Sequence, residues 1–151
     1  MDVDLVKAVS APFRPADLRT VLRAAADVPE VAARIDGDAA LAVRVTGDRE
    51  LRRLNRRYLD EDHPTDVLAF PAEGDMRGGH LGDLAISWPA VRRQAAEHGH
   101  SEFAELALLA VHGLLHVLGW DHASEPERIE MTRLTNAALA RAGIELAPGR
   151  I

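Results

Sequence analysis

The sequence predicts an α+β fold, a small mixed sheet of about four strands with about five helices packed on it. Three observations carry this. Alternating or β-branched stretches at Val3–Val9, Leu41–Thr46, Asp66–Phe70 and Leu81–Trp88 read as strands. Helical patterns separate the first three, which favours parallel pairing there, while only a loop joins the last two, which favours an antiparallel pair. The chain has 151 residues with no internal repeat and no dividing linker, so residues 1–151 are expected to form a single domain.

Each element has its own signal. Ala11-Pro12 and Pro15 punctuate the first strand, and Pro15 suits the first turn of a helix running through Leu18, Val21 and Leu22 to about Asp27. Asp36-Gly37-Asp38 is a turn before the second strand. Asp48 is the expected N-cap of the next helix. There Leu51, Leu54 and Tyr58 fall on one side, and Arg49, Arg52, Arg53, Arg56 and Arg57 on the other. Pro71 stops the third strand, Gly74–Gly79 is a turn-rich loop, and Trp88 ends the fourth strand. Pro89 then starts a short helix that ends near Gly99. Ser101 is a good N-cap, with Glu102 and Glu105 in the first turn behind it. The helix from Glu102 to about Leu118 is apolar nearly all round and is expected to be buried, ending at Gly119. A last amphipathic helix spans about Pro126 to Ala142, capped by Gly143.

Composition excludes several classes. Acids outnumber bases 24 to 18, for a net charge of −6, so any polyanion site is a local patch and not a basic coat. Hydrophobic residues at 47% and charged residues at 28% describe a folded chain. The absence of cysteine excludes disulfide scaffolds, thiolate metal sites and cysteine nucleophiles, and fits a reducing compartment. Met-Asp-Val-Asp at the start shows no signal-peptide pattern, and the longest apolar run, Leu106 to Trp120, is shorter than the ~20 residues of a bilayer span. A cytoplasmic protein with no membrane partner is expected. Aromatic residues are 4%, too few for an extended base-stacking platform.

The chemistry lies in Val111-His-Gly-Leu-Leu-His-Val-Leu-Gly-Trp-Asp-His122. His112 and His116 are four apart on a helix, so their imidazoles point the same way, about 5–6 Å apart at Cβ. Gly119 lets the chain turn, and His122 returns to give a third nitrogen. A lone histidine on an apolar helix is ordinarily a hydrogen-bonded core residue. Three of them, with a glycine break before the third, are better satisfied by one shared metal, since an unpartnered buried polar group costs about 1–3 kcal/mol. Three imidazoles leave the fourth tetrahedral position of a zinc ion open, as in catalytic sites. Nickel and copper suit three imidazoles too. The spacing matches the metalloprotease pattern H-E-x-x-H-x-x-G-x-x-H except that Gly113 stands in place of the glutamate base. Glu105 is two turns upstream, too far to replace it. This argues for metal binding and against that protease class.

The same segment resembles the H-G-x-L-H-x-x-G-[YWF]-D-H signature of the YbeY family, bacterial rRNA maturation factors known as single-strand-specific endoribonucleases. Pro64-Thr-Asp-Val-Leu-Ala-Phe-Pro71, in the block that begins at Asn55, resembles the family's P-T-D-V-L-S-F-P. Leu81-Gly-Asp-Leu-Ala-Ile-Ser87 resembles its L-G-D-I-x-I-S strand. The blocks stand in the family's order over roughly residues 50 to 135. The histidine signature is highly specific and the other two are supportive. Leu59 stands where members often carry an arginine thought to help catalysis, with Arg56 and Arg57 just before it, and Ala69 stands where serine is usual.

The resemblance implies an α+β fold with one metal ion, zinc first, held by His112, His116 and His122 at the floor of a cleft. It implies a metal-dependent endoribonuclease acting in small-subunit rRNA maturation and ribosome quality control in the cytoplasm, with rRNA, the small ribosomal subunit, ribosomal proteins or assembly factors as partners. No catalytic side chain is assigned; the expected reactive group is a metal-bound water, attacking phosphorus or acting as base on the 2′-hydroxyl. Asp121 is a candidate for orienting an imidazole. Arg53, Arg56 and Arg57 are candidate RNA contacts through bidentate guanidinium–phosphate bonds, against the plainer reading of a solvated helix face. Asp66 and Asp83, at strand starts, are read equally as cleft-facing or as turn-forming. His63, His80, His98 and His100 are expected to be solvent-exposed. The alternative to a nuclease is an assembly-binding factor with a structural metal and little nuclease activity; a metallohydrolase on another substrate is the third class.

Overall fold

The computed structural model of the chain describes residues 1–60, 65–72 and 79–151. His63, Pro64 and most of the Gly74–Gly79 turn expectation lie outside the described residues.

The element order is β1 (Asp2–Lys7), α1 (Pro15–Ala26), α2 (Pro29–Ala32), β2 (Ala40–Thr46), α3 (Asp48–Leu59), β3 (Val67–Pro71), β4 (His80–Ser87), α4 (Trp88–His98), α5 (Glu102–Val117) and α6 (Glu125–Arg141). The four strands form one mixed sheet in the order β1-β2-β4-β3. β1 pairs parallel with β2, with Val3 opposite Leu41, and β2 pairs parallel with β4, with Val43 opposite Leu84. β3 pairs antiparallel with β4, with Ala69 opposite Leu84. The parallel β1–β2 pair and the antiparallel β3–β4 pair are the ones that the connections predicted; the expected parallel pairing of the third strand with the second is corrected, because β4 inserts between them and takes the parallel place beside β2. The one added helix among the described residues is α2, a single turn started by Pro29 after the end of α1.

The sheet has two differently covered faces. Leu41, Val43, Val45, Leu84 and Ile86 face the main core, packed by α1, α5 and α6. On the other face Leu68 and Ala85 meet Leu51 of α3, with Leu54 and Phe70 at the margin. Tyr58 does not join them: it is exposed and sets its ring edge-on to Phe70 at 5.5 Å. The position that α3 buries instead is Asn55.

Two local expectations are corrected. Asp48 does not cap α3; the helix starts at Asp48 after Gly47 with no side-chain cap. The Asp48 carboxylate instead accepts from the Ser87 hydroxyl and from Arg93 at 3.0 Å, tying α3 to α4. Trp88 does not end β4 but opens α4, buried against Phe13 at 5.6 Å; Ser87 caps α4 by accepting from Ala90 N at 3.1 Å.

α5 is the axle of the molecule. Ser101 caps it through Ala104 N at 3.0 Å. Most of its residues are buried, from Ala104 to Val117, because it is flanked by α1, α4, α6 and the sheet. Its approach to the sheet is set by two glycines. A Cβ at Gly113 would lie 2.8 Å from Leu84 Cδ2, and one at Gly82 would lie 2.5 Å from the Phe70 carbonyl oxygen and 2.9 Å from Val117 Cγ1. Small residues at the crossing let α5 lie close on β4, and this carries the last turns of α5 to the edge beside β3.

Candidate metal centre and its cleft

His112 and His116 face out of the last two turns of α5, half-buried. The helix then ends on a backbone turn. Gly119 has φ +101°, a conformation that costs glycine little and other residues more. Gly119 N donates to His116 O at 3.0 Å and Trp120 N to Leu115 O at 3.0 Å. The Arg34 guanidinium stacks 3.6 Å over the Trp120 ring and donates to the Leu118 carbonyl at 3.1 Å, fastening the turn. Asp121 accepts from the backbone N of His122 at 2.7 Å. The outcome is that His122 returns over the helix end, its ring 5.1 Å from that of His116 and 5.8 Å from that of His112.

One nitrogen from each of the three rings lies within 4.8 Å of the others. His112 Nε2 and His116 Nε2 are 3.2 Å apart. Two nitrogens bound to one tetrahedral zinc at about 2.0–2.1 Å each would stand about 3.3–3.4 Å apart. The donor set therefore fits a single first-row divalent ion. The electrostatics agree. Burial, then the neighbouring His116 and His122, push the His112 imidazole down to about 4, against the opposing pull of Asp66. His116 is lowered for the same reasons, with burial first and His122 second. Both rings stay neutral near pH 7, with a lone pair for a cation. The Asp121 carboxylate stands 3.6 Å from His122 Nδ1.

The three histidines lie on a cavity of about 670 Å³ between α5 and β3, whose other walls include Leu59, Asp66, Ala69 and Arg150. Of the two aspartates, Asp66 faces this cleft, while Asp83 lies on the opposite sheet face, 3.2 Å from His80. Asp66 also accepts from Val67 N at 2.8 Å and from Gln94 at 3.2 Å. Arg49, Arg52, Arg53, Arg56 and Arg57 are exposed along one face of α3, and the last residue of that helix, Leu59, is part of the cleft wall. Arg53 also pairs with Glu50 at 3.6 Å, and Arg57 sits 5.3 Å from the Tyr58 ring.

His100 overturns its expectation. Its side chain is 6% exposed, because the segment after α6 folds back over it. His100 shares a hydrogen bond with Glu105 at 2.7 Å and accepts from Ala147 N at 2.9 Å through its other ring nitrogen. Glu105 is fully buried, and both its oxygens hold Arg150, at 2.9 Å from Nε and 2.6 Å from Nη2. Nothing in the sequence around Arg150 marks it for this role. The available signal was a glutamate inside a run of apolar residues, which demands a partner.

Burial works against the Glu105 charge, but hydrogen bonds from Arg150 and His100 outweigh it and hold the carboxyl below its ordinary value of 4.5. A carboxylate lowered in the folded state stabilises the fold above its unfolded value, and that contribution is lost as pH falls through the folded value. The melting temperature is therefore expected to fall as pH drops below about 4.5, more steeply in the wild type than in Glu105→Gln. Glu105→Ala, which strands Arg150 and His100, is expected to cost about 3 kcal/mol in denaturant unfolding; a pH profile identical in wild type and Glu105→Gln would contradict this.

Comparison with known proteins agrees with the family that the signature resembles. A family model described as Endoribonuclease YbeY matches residues 8–143. Proteins named Endoribonuclease YbeY from Moorella thermoacetica and Rhodopseudomonas palustris are each 42% identical to the chain, over 84% and 83% of it, covering 85% and 68% of their own lengths. One from Gloeobacter violaceus is 50% identical over 59% of the chain, which spans only half the length of that relative. The solution structure of TM1509 from Thermotoga maritima superposes over 99% of both chains with a TM-score of 0.61 at 20% identity, a likeness of fold. With the histidine signature in its cleft and the match running from β1's end to the end of α6, the chain belongs to the YbeY family.

Proposed function

We propose that the chain is a metal-dependent, single-strand-specific endoribonuclease that acts in small-subunit rRNA maturation and ribosome quality control. The observation that carries this is the convergence of three imidazoles, two of them kept neutral, on the wall of an open cleft. His112, His116 and His122 are its metal ligands, and zinc is the first candidate, with nickel and copper next. When bound, such an ion supplies an acidified water and offsets negative charge building on a phosphate. Asp121 orients the His122 ring. Asp66 accepts hydrogen bonds at the cleft wall and its charge acts on His112. The working place of the protein is the cytoplasm, and its partners are rRNA, the small subunit and proteins bound there. Among the described residues no helix is long and apolar enough to cross a membrane.

RNA approaches along α3, whose exposed arginines lead to Leu59 at the cleft. Arg53, Arg56 and Arg57 bind flanking phosphates. Replacing both Arg56 and Arg57 by glutamate is expected to weaken single-stranded RNA binding about tenfold or more and to flatten its salt dependence; unchanged affinity and slope would remove α3 from the interface. The activity itself is tested by cleavage of a single-stranded and a duplex RNA of the same sequence. Cleavage of the single strand alone, abolished by chelator and restored by returned metal, is the expected result. No cleavage at any metal loading would overturn the nuclease reading.

A further inference from the structure

We propose that Arg150 is a phosphate-binding residue of the histidine cleft, held in place by the buried carboxylate of Glu105. The inference rests on the reading of the cleft as an RNA site. Glu105 and His112 are seven residues apart on α5, two turns along the same face. Glu105 takes one edge of the guanidinium, through Nε and Nη2, and Gln94 touches Nη2 at 3.4 Å. Among the described residues Nη1 has no hydrogen-bond partner. The side chain remains 17% exposed, and it lines the cleft shared by His112, His116 and His122.

A guanidinium clamped along one edge, on a side chain that lines a cleft, is preorganised for an oxyanion, and a phosphodiester is the anion that the cleft's proposed substrate carries. A fully buried carboxylate is a costly device for tethering a tail, since an apolar pair would do as well. It is well suited to fixing a cation where a flexible arginine would otherwise sample many positions. Among the described residues, Asp66 is the acidic side chain on this wall, and its two oxygens are engaged by Val67 N and Gln94.

The test is binding of a fluorescent single-stranded RNA to the full chain across a salt series, in wild type, Arg150→Gln and Arg150→Lys. Arg150→Gln is expected to bind about tenfold more weakly at low salt and to lower the salt slope by about 0.7, the value of one phosphate contact on a single strand. Arg150→Lys keeps the charge and is expected to keep the slope. Metal content is expected to stay at the wild-type level in both. If Arg150→Gln does not fold, the uncharged pair Glu105→Gln/Arg150→Gln replaces it with the same expectation. An unchanged slope in a folded variant would make Arg150 a tail tether only, and tighter binding would make it an obstruction; either overturns the proposal. Wild type that binds no single-stranded RNA would instead overturn the RNA reading of the cleft, and this proposal with it.

Discussion

His116→Ala is expected to lose metal affinity at least ~100-fold, because even groups that merely orient a ligand are worth ~10–100-fold. RNA cleavage is expected to fall below detection with it. The fold should survive. His116 is only half-buried, its ring meets the other two histidines and the Trp120 backbone, and the turn after it is also fastened by backbone bonds and by Arg34 on Trp120. Circular dichroism and a melting curve alongside metal analysis separate the two effects. A variant that unfolds would make the metal structural. A variant that keeps metal and cleavage would remove His116 from the site.

Gly113→Glu is expected to cost about 4 kcal/mol or more, a large part of the ~5–15 kcal/mol that holds a domain together. The glutamate that a protease of this spacing carries has no room here. The first side-chain atom already falls 2.8 Å from Leu84, and the rest would enter the main core as an unpaired charge. Gly113→Ala is the graded control. Overpacking should cost about 1–3 kcal/mol, offset by up to ~1 kcal/mol of helix propensity. Urea unfolding reads both. A stable Gly113→Glu variant would mean that α5 can lift from the sheet, and would reopen hydrolysis of peptides.

Much of this was legible in the sequence because it was local. Alternation marks the four strands, and the connections predict the parallel β1–β2 pair and the antiparallel β3–β4 pair, but not the insertion of β4 between β2 and β3. The spacing of His112, His116, Gly119 and His122 predicts three converging imidazoles, and the structure brings one nitrogen of each within 4.8 Å of the others. What stayed hidden was set by contacts between distant segments. His100 looked like a loop residue because its cover, Ala147, is 47 positions away. Arg150 and Glu105 are separated by 45 positions, so neither announced the other. Asp48 reads as a cap until Ser87 and Arg93 compete for its carboxylate. Tyr58 sits on the apolar side of α3 by angle, yet that end of the helix lies over the edge strand β3, where the ring meets Phe70 and solvent. Gly113 reads in the sequence as a missing base, while its reason, the closeness of α5 to Leu84, is a distance between layers.

Three imidazoles holding one divalent ion would give the protein a fixed metal content. Elemental analysis of freshly purified protein and of His112→Ala tests it most directly. About one zinc, nickel or copper ion per wild-type chain and none in the variant is the expected result. Wild type that stays free of metal after incubation with each ion, or a variant that binds as much as wild type, would contradict it.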